Sequence, residues 1–282
     1  MAMRLVVFGN GYTGHAIAAA ARRDGHAVTV TSRTPAEQDV VDFATLDLAG
    51  VTHVVSTAPP GDGPDPVLAV HGAALAASAT LRWVGYLSTT GVYGDRAGGW
   101  VNEATTPAPG QDRSRRRVAA EEEWATLAGR VAVDLFRVAG IYGPGRSAFD
   151  DLRAGRARRV SRPGHAFGRI HRDDIARAVL AAVVQDRAPS LRVLHLADDE
   201  PAEGANVTAE AARLLGVPPP PLIPFDQAEP GMSPMARSFW TENRRVSSRW
   251  TQQALDLRWR YPSYREGLVA ILAEEAGNRP AQ

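Results

Sequence analysis

Short runs that are apolar at consecutive positions alternate along this chain with longer stretches whose apolar residues recur at helical spacing. Leu5 to Phe8, Ala27 to Thr31, Val51 to Thr57, Arg82 to Ser88 and Val131 to Val138 are of the first kind. Because both faces of each run are apolar, they predict parallel strands covered on both sides. Thr13 to Arg23, Pro66 to Ala79 and Ser114 to Ala128 are of the second kind and predict helices. Strand and helix in turn make βα units, and these build an α/β fold: a Rossmann-type, doubly wound parallel sheet.

Beyond Gly143 the pattern changes. An Arg-rich segment is followed by a helix predicted over Asp173 to Gln185, a strand over Arg192 to Leu196 and a helix over Val207 to Leu215. We therefore expect a dinucleotide-binding domain over residues 1–145 and a smaller C-terminal substrate lobe over 146–282, interleaved with the first. Pro218 to Pro221 is extended by the fixed φ of proline and reads as a connector, with an SH3-type ligand as the other reading. A last helix, Ser263 to Ala276, follows Tyr261-Pro262 and is expected to pack on the core.

Composition narrows the function classes. With 44% hydrophobic and 22% charged residues and a net charge of +1, neither disorder nor a nucleic-acid partner is indicated. There is no cysteine, so disulfides, thiolate metal sites and cysteine nucleophiles are excluded. The seven histidines lack metal-ligand spacing and no G-x-S-x-G string occurs, which leaves zinc and serine hydrolases without support and no metal expected. The apolar run after Met1 is too short for a signal peptide or a membrane span, so a cytoplasmic location is expected. All 32 basic residues are arginine. The chain has no lysine, and that matters below.

Gly9-Asn10-Gly11-Tyr12-Thr13-Gly14 lies between a predicted strand and a predicted helix, with a second strand within about thirty residues. That setting separates a dinucleotide site from an ordinary glycine turn: the glycines allow the tight turn, the approach of a diphosphate to bare backbone, and close helix–strand contact. The second strand ends in Ser32-Arg33, where an NAD-selective site places a carboxylate for the ribose hydroxyls. A guanidinium fork suits a 2′-phosphate, so the expected cofactor is NADP, with NAD second; the plainer reading of Arg33 is a solvated surface residue.

Together with that motif, L-S-T-T-G-V-Y-G at Leu87 to Gly94, R-V-A-G-I-Y-G-P-G at Arg137 to Gly145, R-I-H-R-D-D-I-A at Arg169 to Ala176, L-H-L-A-D-D-E-P at Leu194 to Pro201 and R-Y-P-S-Y-R-E-G-L at Arg260 to Leu268 resemble the extended short-chain dehydrogenase/reductases. More narrowly, the chain resembles their atypical, NAD(P)-dependent epimerase/dehydratase-like members. The resemblance implies an adenine-contacting acid at Asp47, cofactor contacts at Ser56, Thr57 and Ala58, and a catalytic hydroxyl at Thr89. It also implies a Tyr and a Lys on the helix that carries Glu121, where this chain has Arg113 and Arg117. In the family that pair exchanges a proton with the substrate hydroxyl, which arginine, with a pKa above about 12, does not do. Thr90 and Gly91 replace the family's dehydratase Asp-Glu pair, and Gly140 replaces a substrate-gripping Asn.

Two readings of the Arg-rich helix stand side by side. Arg113 and Arg117 clamp an anion in a modified pocket, or they pair at i,i+4 with Glu121 to Glu123 on an exposed face. Tyr142 is either a substitute proton donor or a wall of the pocket. His171 has the pKa range for acid/base work, yet with Asp173 and Asp174 as helix caps it is equally a tie between lobes. Seven arginines between Arg153 and Arg172, Arg158 and Arg159 among them, lie where relatives hold substrate phosphates.

The expected function is that of an NAD(P)-dependent oxidoreductase or epimerase/dehydratase acting on a small hydroxylated or keto substrate, anionic if the arginines clamp it. The alternative is a catalytically silent NADP-binding sensor or interaction protein. A small-molecule ligand, no membrane, and a monomer or homodimer complete the expectation.

Overall fold

A computed structural model describes residues 3–35 and 39–277. In chain order the first half holds β1 (Arg4–Phe8), α1 (Tyr12–Arg23), β2 (Ala27–Ser32), β3 (Val40–Asp42), β4 (His53–Ser56), α2 (Pro66–Ala77), β5 (Trp83–Thr89), β6 (Trp100–Val101) and α3 (Asp112–Ala125). There follow β7 (Ala132–Val138), β8 (Gly140–Tyr142), α4 (Ala148–Arg153), β9 (Arg159–Ser161), β10 (Arg169–His171), α5 (Arg172–Val183) and β11 (Ser190–Leu196). The remainder is α6 (Gly204–Leu215), β12 (Leu222–Pro224), α7 (Phe225–Ala228), α8 (Pro234–Ser238), β13 (Arg245–Val246), α9 (Arg249–Ala254) and α10 (Tyr264–Gly277).

Seven strands form one parallel sheet in the order β11-β7-β5-β4-β1-β2-β3. The chain winds outward from β1 to β3, returns to β4 and winds the other way, so the order reverses beside β1. In such sheets ligands bind outside the carboxyl ends of the strands at that reversal.

Successive side chains point to opposite faces, so each strand feeds two cores. Leu5 and Val7 of β1 join Ile17 and Ala21 of α1 and Ile175 and Val179 of α5. Val6 and Phe8 join Val67 and Leu75 of α2 and Ala120 and Trp124 of α3 on the other face. Those four β1 residues are all 2% exposed or less, and each contributes about 1.5–3 kcal/mol by leaving water.

Residues beyond 145 serve two places. α5 and β11 complete the sheet and its cover, whereas Phe149, Ala211, Tyr264, Leu268 and Ile271 gather in a separate apolar cluster of α4, α6 and α10. β3 was not foreseen. Three residues are too few to show a period. Among the described residues no helix is long and apolar enough to cross a membrane.

Candidate functional site

Beyond β1, β2 and β4 opens a cavity of about 700 Å³ whose wall includes Gly9, Asn10, Gly11, Ser32, Arg33, Thr57 and Ala58. The glycine turn is fixed by sterics. Gly9 has φ of 111°, a conformation that side chains disfavour, and a Cβ there would stand 2.5 Å from Thr57 Oγ1. A Cβ on Gly14 would lie 2.0 Å from the carbonyl oxygen of Gly9. Thr57 holds the turn from β4, its hydroxyl donating to the Phe8 carbonyl at 3.0 Å and its amide to the same oxygen at 2.9 Å.

Gly11 is different, because nothing lies within 4 Å of its missing Cβ. It is also the N-cap of α1 and supplies no capping side chain, so the first amides of the helix depend on an outside acceptor. A diphosphate fits this bare, donor-rich rim. The opposite wall is stiff, with Pro59, Pro60, Pro64 and Pro66, and it is tied to α3 by an Arg116–Asp62 ion pair and by the Asp65 amide donating to Glu123 Oε2 at 3.1 Å. Arg33 is exposed at the rim, and among the described residues no carboxylate lines the cavity.

A second cavity, about 540 Å³, opens beyond β5 and β7. Thr89 stands on its wall, capping the short 3₁₀ turn Thr90–Tyr93 by accepting the Gly91 amide at 3.1 Å. Its own proton remains for an outward bond. Ser88 beside it has a buried hydroxyl without a partner among the described residues.

α3 delivers Arg113 and Arg117 to the same wall. Arg113 stacks over the Phe239 ring, 4.5 Å from its centroid, with Nη1 2.9 Å from Met235 Sδ. Arg117 donates to the Tyr86 hydroxyl at 3.0 Å and the Leu87 carbonyl at 2.8 Å. Both therefore face neutral partners.

Residues past 145 contribute Arg146, Arg169, Phe239, Glu242 and Arg244; Arg169 is one of the seven arginines expected to hold phosphate, and the other four were not foreseen for this site. Arg146 follows the I-Y-G-P-G stretch after β8, a usable signal; Glu242 and Arg244 arrive from over a hundred residues past α3 and carried none. Arg244 donates to the Gly94 carbonyl at 2.9 Å and pairs with Glu242 at 2.8 Å, while Glu242 Oε1 is buried and accepts nothing among the described residues. Tyr142 is a wall residue. Its hydroxyl donates to the Ser263 carbonyl at 3.2 Å, and burial pushes the phenol pKa up.

The i,i+4 reading of the Arg-rich helix is corrected. Glu121 turns inward to Arg137 at 2.7 Å, Arg115 pairs with Asp112, and Arg116 with Asp62. The pairing with Arg137 explains why Glu121 sets the helix phase, since Arg117 and Arg113 lie one and two turns before it on the same stripe. Behind it runs a buried chain: Arg137 Nη1 donates to the Tyr93 hydroxyl at 2.7 Å and that hydroxyl meets His195 Nε2. His195 Nδ1 lies 2.8 Å from the Ser247 carbonyl, which makes it the protonated nitrogen and fixes Nε2 as acceptor.

Other expected residues lie elsewhere. Tyr12 turns from the first cavity and donates to the Pro144 carbonyl at 3.0 Å; Thr13, Gly14 and Ser56 are buried behind its wall. Asp47 is exposed in a turn five residues past β3, accepting the Ala49 amide at 2.9 Å, and Phe43 occupies the cavity wall on that side. Arg159 donates to the carbonyls of Ala205 and Pro220, and Arg158 lines a separate cavity of about 390 Å³, so neither reaches Thr89.

His171 is fully buried and is itself the cap of α5, Nδ1 accepting the Asp173 amide at 3.2 Å. Asp174 instead accepts the amides of Arg260 and Tyr261, both at 2.8 Å, and so ties the segment before α10 to α5. Burial lowers the His171 pKa to about 4. Among the described residues no three His, Asp or Glu side chains gather as metal ligands.

No family model matches the chain. It is 41% identical to a functionally unknown conserved protein of Silicibacter pomeroyi DSS, covering 97% of this chain and 99% of that one at a TM-score of 0.89. It is similar to the 3-diazoavenalumate denitrifying reductase of a Streptomyces species, 27% identical over 94% of this chain and 99% of that one. The human epimerase family protein SDR39U1, solved with NADPH, shares the fold at 18% identity and a TM-score of 0.79, over 96% and 99% of the two chains. With the reversal of strand order at a glycine turn, and Thr89 at the end of β5, the chain has the Rossmann-type α/β fold of that epimerase-family structure.

Proposed function

We propose that the chain is an NADP(H)-dependent oxidoreductase or epimerase acting on a small hydroxylated or keto compound. One observation carries the reading: two cavities open at the carboxyl edge of one sheet, the first rimmed by the glycine turn and Arg33, the second by Thr89. Gly9, Gly11 and the first amides of α1 would hold the diphosphate, and Arg33 the 2′-phosphate. When bound, the dinucleotide supplies or accepts hydride. Thr89 donates to the substrate oxygen and orients it. That the SDR39U1 relative was solved with NADPH and the Streptomyces relative is a reductase agrees with this reading.

A second reading, a silent NADP-binding sensor, is favoured by one observation. By the resemblance, Arg113 and Arg117 stand where the family has its proton-transfer Tyr and Lys, and the Tyr142 hydroxyl is bonded to the Ser263 carbonyl. Titrating NADPH and NADH, then following nicotinamide absorbance with ketones, aldehydes and hydroxy compounds, separates the outcomes. Saturable binding with hydride exchange supports the enzyme; binding without exchange supports the sensor; no binding overturns both.

A further inference from the structure

We infer that the second cavity takes a small molecule bearing an oxyanion, a carboxylate or a phosphate ester, and grips it with Arg113 and Arg146. The inference deepens the proposed function and rests on that reading of the cavity as the substrate site.

Charge is the first argument. Of the guanidinium groups on this wall, Arg244 is balanced by Glu242, and Arg169 faces the buried Asp198 carboxyl. Arg113, Arg117 and Arg146 have no ion pair among the described residues, and Glu242 is the one carboxylate on the wall. Three like charges in a recess are costly unless an anion shares it, because partial enclosure weakens solvent screening.

Geometry is the second. Arg117 is committed to the end of β5 through Tyr86 and Leu87, so it sets the local potential and has little freedom to move. Arg113 sits over the Phe239 ring with Nη1 turned to Met235 Sδ, which leaves its other N–H groups for bonds with an oxyanion. Arg146 follows β8, is exposed, and sets its guanidinium over the face of the Tyr12 ring, 5.8 Å from the centroid. An anion held between them lies on the wall that carries Thr89. The two positions that lost proton-transfer chemistry thus acquire a binding task at Arg113 and a fixed positive background at Arg117.

Isothermal titration of the full chain with sodium malonate and with inorganic phosphate tests this, with sodium chloride at equal ionic strength as the control. We expect saturable binding of at least one oxyanion, weakened about tenfold or more in Arg113→Gln and in Arg146→Gln, with NADPH affinity kept within about twofold. Arg146 is exposed, so its variant keeps the test sound should Arg113→Gln unfold. Malonate or phosphate binding alone identifies which oxyanion is preferred. Binding no stronger than chloride, or binding equal in wild type and both variants, overturns the inference. Loss of NADPH binding with oxyanion binding intact would instead sink the cofactor reading and leave this one standing.

Discussion

Arg137 at the end of β7 and Glu121 on α3 form an ion pair with 6% and 5% of their side chains exposed, Arg137 Nη2 lying 2.7 Å from Glu121 Oε2 and Nε bonding both carboxylate oxygens. Removing one partner strands a buried charge. Glu121→Ala should therefore cost about 3–5 kcal/mol, read from urea denaturation, and Glu121→Gln less because it keeps an acceptor. A loss below about 1 kcal/mol for the alanine variant would mean that the pair does not fix α3, and with it Arg113 and Arg117, against the sheet.

The glycine turn makes two neighbouring substitutions behave differently. Gly14→Ala drives a methyl to 2.0 Å from a backbone oxygen, so it should destabilise the fold and lower Tm by several degrees. Gly11→Ala meets nothing and should cost no more than about 1 kcal/mol of capping, yet weaken NADPH binding tenfold or more by filling the diphosphate's approach. Unchanged NADPH affinity in folded Gly11→Ala would remove the cofactor from that rim.

Residues whose role is set by near neighbours in sequence were legible. Leu5 and Val7 against Val6 and Phe8 announced a strand with two buried faces, and the spacing of Gly9, Gly11 and Gly14 announced the turn. The second cavity was legible on its α3 and β5 side and at Tyr142 and Arg169. Arg146 on one segment and Glu242 and Arg244 on another reach it unannounced, and no local period reports a convergence made by tertiary packing. The sequence placed His171 among candidate chemistry because its side chain type allows it; burial, which decides the matter, is not written in one residue. Asp47 was placed by resemblance to a third strand, and β3 ends at Asp42, too early for it to face the cavity.

Selectivity for the phosphorylated dinucleotide rests on Arg33. With no carboxylate among the described residues of that wall to repel a 2′-phosphate, Arg33→Ala should raise the Kd for NADPH about tenfold or more and change that for NADH by less than about twofold. Equal wild-type affinities for the two would show that the guanidinium stays in solvent.

Stability should fall in mild acid, and His171 accounts for a definable part of the loss. Burial holds its pKa at about 4, below the ordinary 6.5, despite the opposing pull of Asp173 and Asp174; Arg172 and Arg260 add to the lowering. The side chain packs on Tyr142 and Tyr261, whose phenols are neutral in this range. The unfolded chain takes up the proton near pH 6.5 and the folded one resists until about pH 4. The contribution is therefore complete above pH 6.5 and is lost as pH falls from there to about 4, by roughly 1–3 kcal/mol. His53, lowered to about 4 mainly by burial, adds a loss of the same sign, so only a comparison isolates His171. His171→Asn keeps a capping group for α5 but has no proton to take up. Urea denaturation from pH 7 to pH 4 should show a shallower decline for the variant than for the wild type. Parallel curves would mean that His171 is protonated inside the fold, with Asp173, 3.9 Å away, as its counter-ion.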